Sequence, residues 1–395
     1  NPSLPIMFKK TAKLTRILAH PAARQAVLRD MRGLAKKDPG IETVLKAGFA
    51  WLARAQDCSS SADGGSARHY DLFSGWSSSY PETTGYILNT WVDRAKETGD
   101  SSLRERIRKA VRWLYSVQLP DGGFPGGTIA ENRTIPTVFN TGQIVLGLSD
   151  ALPYLAMDLK PLNHAADWLL TMQDPDGGWH RSPQPFAPDG AHTYDAHVAW
   201  SLMAAAKTTG NSAYLDAAIR NINWVLQHQF PNGWFEHCSL WEPDEALTHT
   251  IGYTLRGVVE AWAVTGNNQF RTAALTTAHA ILKEQSIDGS IPGCFNPQWQ
   301  PTVRWSCLTG ISQISLCWMR LYELTAEQHF LSAAQKANAF VRKTIPLGAN
   351  LNIHGAVAGS FPIYGRYCRF QYPNWATKFT LDAQMYEKHL RDQST

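Results

Sequence analysis

Charge of one sign is scarce in this chain of 395 residues. Thirty-seven Lys and Arg stand against 33 Asp and Glu, a formal balance of +4. No zinc-finger spacing, RNP-type aromatic motif or extended basic stripe is present, so nucleic acid is not an expected partner. Cysteine is scarce too: the six thiols, at 58, 238, 294, 307, 317 and 368, form no CxxC pair. That excludes a disulfide framework and points to reduced thiols in a reducing compartment. No apolar run reaches the roughly 20 residues a helix needs to cross a bilayer, and no signal-peptide core precedes a cleavage site. A cytoplasmic protein is therefore expected, with Met7 as a native start, or a periplasmic one if an export signal has been trimmed. Nothing in the motifs asks for a cofactor or a resident metal ion.

The charge that is present is uneven. Nine Lys or Arg fall between Lys9 and Lys37 against one acid, Asp30. Residues 1–40 read as a basic helical leader, packed on the rest of the chain and able to make weak contact with an anionic membrane surface. Aromatic residues are plentiful, with 15 Trp and 13 Tyr. Chains of this kind often line clefts for sugars or apolar ligands, although most Trp side chains are core.

A repeat organises residues 41–395 into one domain. "QLPDGGF" begins at Gln118, "QDPDGGWH" at Gln173, "QFPNGWF" at Gln229 and "QSIDGSI" at Gln285, at intervals of 55, 56 and 56 residues, with a looser "QDCSSSADGG" at Gln56. A period near 56 accommodates two helices and two connections. An amphipathic helical pattern precedes each Gln, and the Asp-Gly turn after it supplies the positive φ that ends a helix. Between the marks lie segments such as "VFNTGQIVLGLSDAL" and "LTHTIGYTLRGVVEAWAVTGN", apolar on every side as buried helices are. Several end in "TG" followed by Asp or Asn, a helix stop and then an N-cap. The expected architecture is all-α: six buried inner helices and six amphipathic outer helices closed into an (α/α)6 toroid.

At Lys109 to Phe124 and Ala165 to Trp179 the outer-helix pattern resembles the QW motif of the terpenoid-cyclase and protein-prenyltransferase toroid. Polysaccharide lyases, unsaturated-uronyl hydrolases and sugar epimerases share that fold. The segment "GSFPIYGRYCRFQYPNWATKFTLDAQMYE" resembles the ends of proteins encoded beside bacterial exopolysaccharide genes. The motif carries fold rather than chemistry.

Chemistry is expected where the longer, variable loops enter the inner helices, because positive helix ends converge there. The residues placed at that mouth are Tyr80 and Glu82, Asn140, then His192, Tyr194, Asp195 and His197, then Thr248 and His249, Arg304 and Trp305, and finally Tyr372, Asn374 and Lys378. Of these, Tyr194, His192, His249, Asn140, Asp195 and Glu82 are the candidate catalytic groups. Arg304, Trp305, Tyr80, Tyr372, Asn374, Lys378 and Trp179 are the candidate sugar-binding groups. The mixture of Asn, His, Tyr and Arg suits β-elimination or C5-epimerisation of a uronate-containing bacterial polysaccharide: one group neutralises the carboxylate, another takes the C5 proton and a third returns one. Three alternatives stand beside it. A glycoside hydrolase would use Glu82 and Asp195 as its carboxyl pair, with Glu236, Glu242 and Asp244 in reserve. A non-catalytic polysaccharide binder would need no acid or base. A cyclase or prenyltransferase fits least, since the resemblance would require an Asp-rich D-x-D-D segment, which is missing, or zinc ligands, for which Cys238, Asp244 and His249 are wrongly spaced.

Overall fold

The computed structural model describes residues 17, 19–181 and 190–393. After a leader helix α1 (Pro21–Met31), twelve longer helices follow in pairs: α2 (Ile41–Asp57), α3 (Pro81–Thr98), α4 (Ser102–Val117), α5 (Val138–Leu155), α6 (Lys160–Met172), α7 (Ala196–Thr209), α8 (Ser212–Gln227), α9 (Thr248–Thr265), α10 (Asn268–Lys283), α11 (Leu308–Thr325), α12 (Gln328–Thr344) and α13 (Asn374–Asp392). The odd-numbered helices from α3 onward are the inner ones. Each packs on its two inner neighbours, and α13 packs on α3, so the ring closes. The fold is the (α/α)6 toroid.

The inner helices are buried on nearly every face. Residues 138–149 of α5, for example, are all buried. At their far ends Gly99, Gly210 and Gly266 adopt left-handed caps. Asn211 and Asn267 then cap the outer helices, accepting the N–H of Ala213 and Gln269. This is the arrangement the "TG" plus Asp or Asn signal specifies.

The recurring Gln has a mechanical role in each of the five repeats that carry it. Its side-chain amide donates to the carbonyl of its own turn glycine and to the next outer helix: Gln118 to Gly122 and Pro161, Gln173 to Gly177 and Ala217, Gln285 to Gly289 and Ala333. Gln229 reaches Ala273 O and Thr277 Oγ1, and even the looser Gln56 bonds Gly64 and Arg106. Each repeat is thereby tied to the next. Gly177 shows why the turn needs glycine. Its φ is +97°, and a Cβ there would lie 2.4 Å from Arg220 O. Gly177→Ala should lower the stability measured by urea unfolding by at least about 1–2 kcal/mol, the strain of the left-handed backbone alone, with the contact adding to it.

Two features exceed a purely helical reading. Short antiparallel strands knit the loops at the mouth: β1 (His69–Asp71) pairs with β2 (Gly75–Trp76) and with β7 (Gln371–Pro373), β3 (Ala246–Leu247) with β4 (Cys294–Phe295), and β5 (Ser306–Cys307) with β6 (Ser360–Phe361). They satisfy backbone groups in loops that fold over a core, and the β1–β7 pair joins the beginning of the ring to its end. The leader is also bound in. Asp30 is buried, accepts the Ile363 N–H at 2.7 Å and pairs with Arg29. Asp38 receives both Nε and Nη2 of Arg342. The more basic part of the leader precedes residue 17 and lies outside the described residues. Among those described, no helix is long and apolar enough to cross a membrane.

Candidate active site at the loop end of the toroid

A cavity of about 440 Å³ opens at the N-terminal ends of the inner helices. The chain builds it one first turn at a time. Tyr80 precedes Pro81, whose fixed φ starts α3, and Glu82 follows in the first turn. Asn140 sits in the first turn of α5 and Tyr194 in the short 3-10 turn before α7. His249 and, one turn on, Tyr253 come from α9, and Trp375 comes from α13. Loops add Arg68, Trp241 and the stretch Arg366, Tyr367, Cys368 and Arg369.

Two linked groups dominate the site's chemistry. Tyr80 donates its hydroxyl to Glu82 Oε2, and Asn140 Nδ2 lies 3.4 Å from Tyr80 Oη. Burial raises Glu82 to about 7, more than the Tyr80 hydrogen bond and the Arg68 charge lower it. A carboxyl with this value exchanges a proton near neutrality. The second group is His249, whose Nδ1 is 2.6 Å from Gln313 Oε1. An amide oxygen only accepts, so Nδ1 carries the proton and Nε2 keeps its lone pair. Burial lowers this imidazole to about 4, the Gln313 contact opposing the shift. Histidine is therefore neutral and basic at Nε2 through the physiological range.

Among the described residues lining the cavity, Glu82 is the sole carboxyl group, whereas Arg68, Arg366 and Arg369 bring positive charge. Arg68 lies 5.6 Å from the Tyr80 ring centroid and 5.7 Å from that of Trp375. Arg366 lies 4.2 Å over Trp241 and 3.7 Å from Glu245. The combination of cationic groups, positive helix ends and flat aromatic faces favours an anionic ligand with apolar ring faces.

Five of the residues expected at the mouth thus line one cavity: Tyr80, Glu82, Asn140, Tyr194 and His249. The others lie elsewhere, for local reasons. His192 stacks on Tyr194 with centroids 4.6 Å apart and forms the wall behind it. Asp195 is 1% exposed and its carboxylate accepts the His192 N–H at 3.3 Å, so it caps the turn and does not face Glu82 across the cavity. Burial raises Asp195 to about 7 as well, the His192 bond opposing it. Thr248 is spent on the Pro292 carbonyl at 2.5 Å.

Asn374 cross-links the ring closure, donating to Ala67 O and Thr83 Oγ1. Tyr372 is wholly buried in β7 opposite Tyr70. Trp179 is core, its indole N–H donating to Leu169 O at 3.0 Å. Arg304 is exposed, and Trp305 packs against Gly293 in the loop before β5. His197, in the first turn of α7, and Lys378, in the second turn of α13, line a separate cavity of about 650 Å³ at the opposite end, where Lys378 pairs with Asp382 at 2.5 Å. A layer containing Tyr86, Tyr253, Phe379 and the His249–Gln313 pair lies between the two cavities.

Sequence reasoning overlooked Arg68, Tyr253, Trp375 and the Arg366–Arg369 stretch. Tyr253 was within reach of it, standing four residues after His249 and so on the same helix face. Arg68 gave no local signal.

Residues 133–255 match the family described as Squalene-hopene cyclase C-terminal domain. Squalene–hopene cyclase of Zymomonas mobilis is 27% identical over 159 residues, which are 39% of this chain and 22% of that protein. The chain thus spans about a fifth of the length of this curated relative. Among solved structures, an unsaturated glucuronyl hydrolase specific for heparin superposes with a TM-score of 0.71 at 15% identity, covering 90% of this chain and 99% of the other. Cellobiose 2-epimerase of Bacillus thermoamylovorans gives 0.69 at 13% identity, covering 88% and 98%. At these identities the shared property is the α/α toroid itself.

Proposed function

We propose that the protein is a carbohydrate-processing enzyme that abstracts the C5 proton of a uronate in an acidic polysaccharide or oligosaccharide. The observation that carries this reading is the pairing of a neutral, tautomer-fixed His249 with a protonatable Glu82 in a cavity whose other charged groups are arginines. The two solved structures above are named as an unsaturated glucuronyl hydrolase and a cellobiose 2-epimerase, which supports a carbohydrate substrate, with the glucuronyl group of the first in line with a uronate.

In this reading Arg68, with Asn140 nearby, receives the uronate carboxylate and stabilises the negative charge that develops when C5 loses its proton. His249 Nε2 takes that proton. In β-elimination the C5–H electron pair forms the C4–C5 double bond as the C4–O bond breaks, and Glu82, partnered by Tyr80, protonates the departing oxygen. In epimerisation a proton instead returns to C5 from the opposite face. Hydrolysis by a Glu82–Asp195 pair is disfavoured because Asp195 is held in its turn.

The test is a panel of uronate polymers. Elimination removes the C5 hydrogen and gives absorbance at about 235 nm; epimerisation gives inverted C5 without that absorbance and, in deuterated solvent, carries deuterium at C5. Fresh reducing ends with the C5 hydrogen retained and no such absorbance would overturn the proposal. The pH profile follows from the same two groups. His249 is a base only above about 4 and Glu82 an acid only below about 7, so kcat/KM should rise through the first value and fall through the second. Glu82→Gln should abolish the alkaline limb together with most of the rate.

A further inference from the structure

In the loop after α8, the repeat turn that begins at Gln229 carries side chains its counterparts lack. His228 precedes it, Glu236 and His237 follow it, and their donor atoms all lie within 4.8 Å of one another. His228 Nδ1 and Glu236 Oε2 are 3.6 Å apart. Two ligands at about 2.0–2.2 Å from a tetrahedral ion stand roughly 3.3–3.6 Å from each other. We propose that His228, Glu236 and His237 bind a divalent transition-metal ion of the zinc class, which fastens this loop to the segment that delivers Tyr194 to the cavity.

The backbone pre-forms the site. Glu236 N–H donates to His228 O at 2.9 Å and Gln229 bridges Phe235, so the turn folds its two ends together. His237 has φ +54°, a left-handed conformation uncommon outside glycine and a pointer to function where it occurs. Buried Trp224 supports both imidazoles, His228 at 4.5 Å and His237 at 6.4 Å between centroids.

Two nitrogens, one carboxylate and an open fourth position suit zinc rather than calcium, which takes six or more oxygens. The connection to the cavity is by main chain. Glu236 O accepts Thr193 Oγ1 at 2.7 Å, His237 O accepts the Thr193 N–H at 3.2 Å, and the next residue is Tyr194.

A second cluster, His279, Glu327 and His329, requires a control. The experiment uses the full chain carrying His279→Asn and His329→Asn, stripped of metal and titrated with Zn2+ against a chromophoric chelator. One equivalent is expected to bind. Adding His228→Asn and His237→Asn should weaken it at least 100-fold, with the circular dichroism spectrum and Tm of the metal-free protein unchanged, since these side chains are solvent-accessible. Zn2+ should also slow hydrogen exchange at the amides of Glu236 and Thr193, and Ca2+ should not. Equal zinc affinity with and without the two histidines would overturn the site, and binding without slower exchange would overturn the fastening. Neither readout depends on turnover of a carbohydrate.

Discussion

His249→Asn lowers kcat on a uronate substrate by about 10³-fold, within the range a positioned general base supplies, while KM changes little. Nδ1 of this ring is engaged by Gln313, so Nε2 is the nitrogen available to the substrate. The substitution removes that nitrogen and leaves Arg68, Glu82 and the aromatic walls to hold the ligand. Steady-state kinetics on folded variant, with Tm measured in parallel, checks the result. A tenfold effect or less would transfer the base to another residue. Gln313→Leu supplies the complementary measurement. Without its acceptor the imidazole loses the preference for one tautomer, and the acidic limb of the pH profile moves to lower pH, because the Gln313 contact is what raises His249 against burial. A variant with a smaller kcat and an unmoved limb would give Gln313 a packing role only.

Arg342→Met destabilises the protein by about 3–5 kcal/mol, the cost of stranding a buried charge when its partner is removed. Arg342 extends from α12 and is 4% exposed. Its guanidinium donates to Asp38 in the leader, at 2.8 Å from Nε and 2.6 Å from Nη2, and to Gln384 and Glu387 in α13, at 2.8 and 3.1 Å. Glu387 is wholly buried, with Asn338 Nδ2 at 2.9 Å and Arg391 as its other donors. Methionine fills the space and leaves the wholly buried Glu387 carboxylate without its buried cation, with the half-exposed Arg391 remaining on its other oxygen. Urea unfolding should show a lower midpoint, and Arg342→Met combined with Glu387→Leu should recover much of the loss, since replacing both partners by apolar groups removes the stranded charge. Failure of the double variant to recover would place the energy in the Asp38 contact. Leader, outer helix and last inner helix meet at this one side chain, so the loss should also loosen ring closure, read as faster exchange of the α1 amides.

The contrast between these two sites shows where sequence reading works. The Gln marks, the glycine turns and the "TG" stops are local signals, since each acts within four residues of itself or on the adjacent outer helix. Hence Gln118, Gln173, Gln229 and Gln285 announce the repeat, and the repeat announces the ring. The mouth was partly legible for a related reason. Tyr80, Glu82, Asn140, Tyr194 and His249 all occupy the start of an inner helix, and a toroid brings all such starts to one end.

Depth and direction were not legible. Lys378 is four residues beyond Asn374, one turn further along α13, and that turn carries it past the aromatic layer to the opposite cavity. Asp195 is one residue from Tyr194, but the 3-10 turn directs its carboxylate to the His192 N–H. Arg68 and the Arg366–Arg369 stretch lie about 300 residues apart in sequence and share a cavity through the β1–β7 pairing that closes the ring.

The amino-acid order alone determined an all-α chain of helical hairpins, because helix periodicity, caps and glycine turns are properties of neighbouring residues. Which side chains face one another across the cavity, and which carboxyl is raised toward 7 with an arginine near it, was decided only when the ring closed. Burial, distance and dielectric are set by residues from every part of the chain at once.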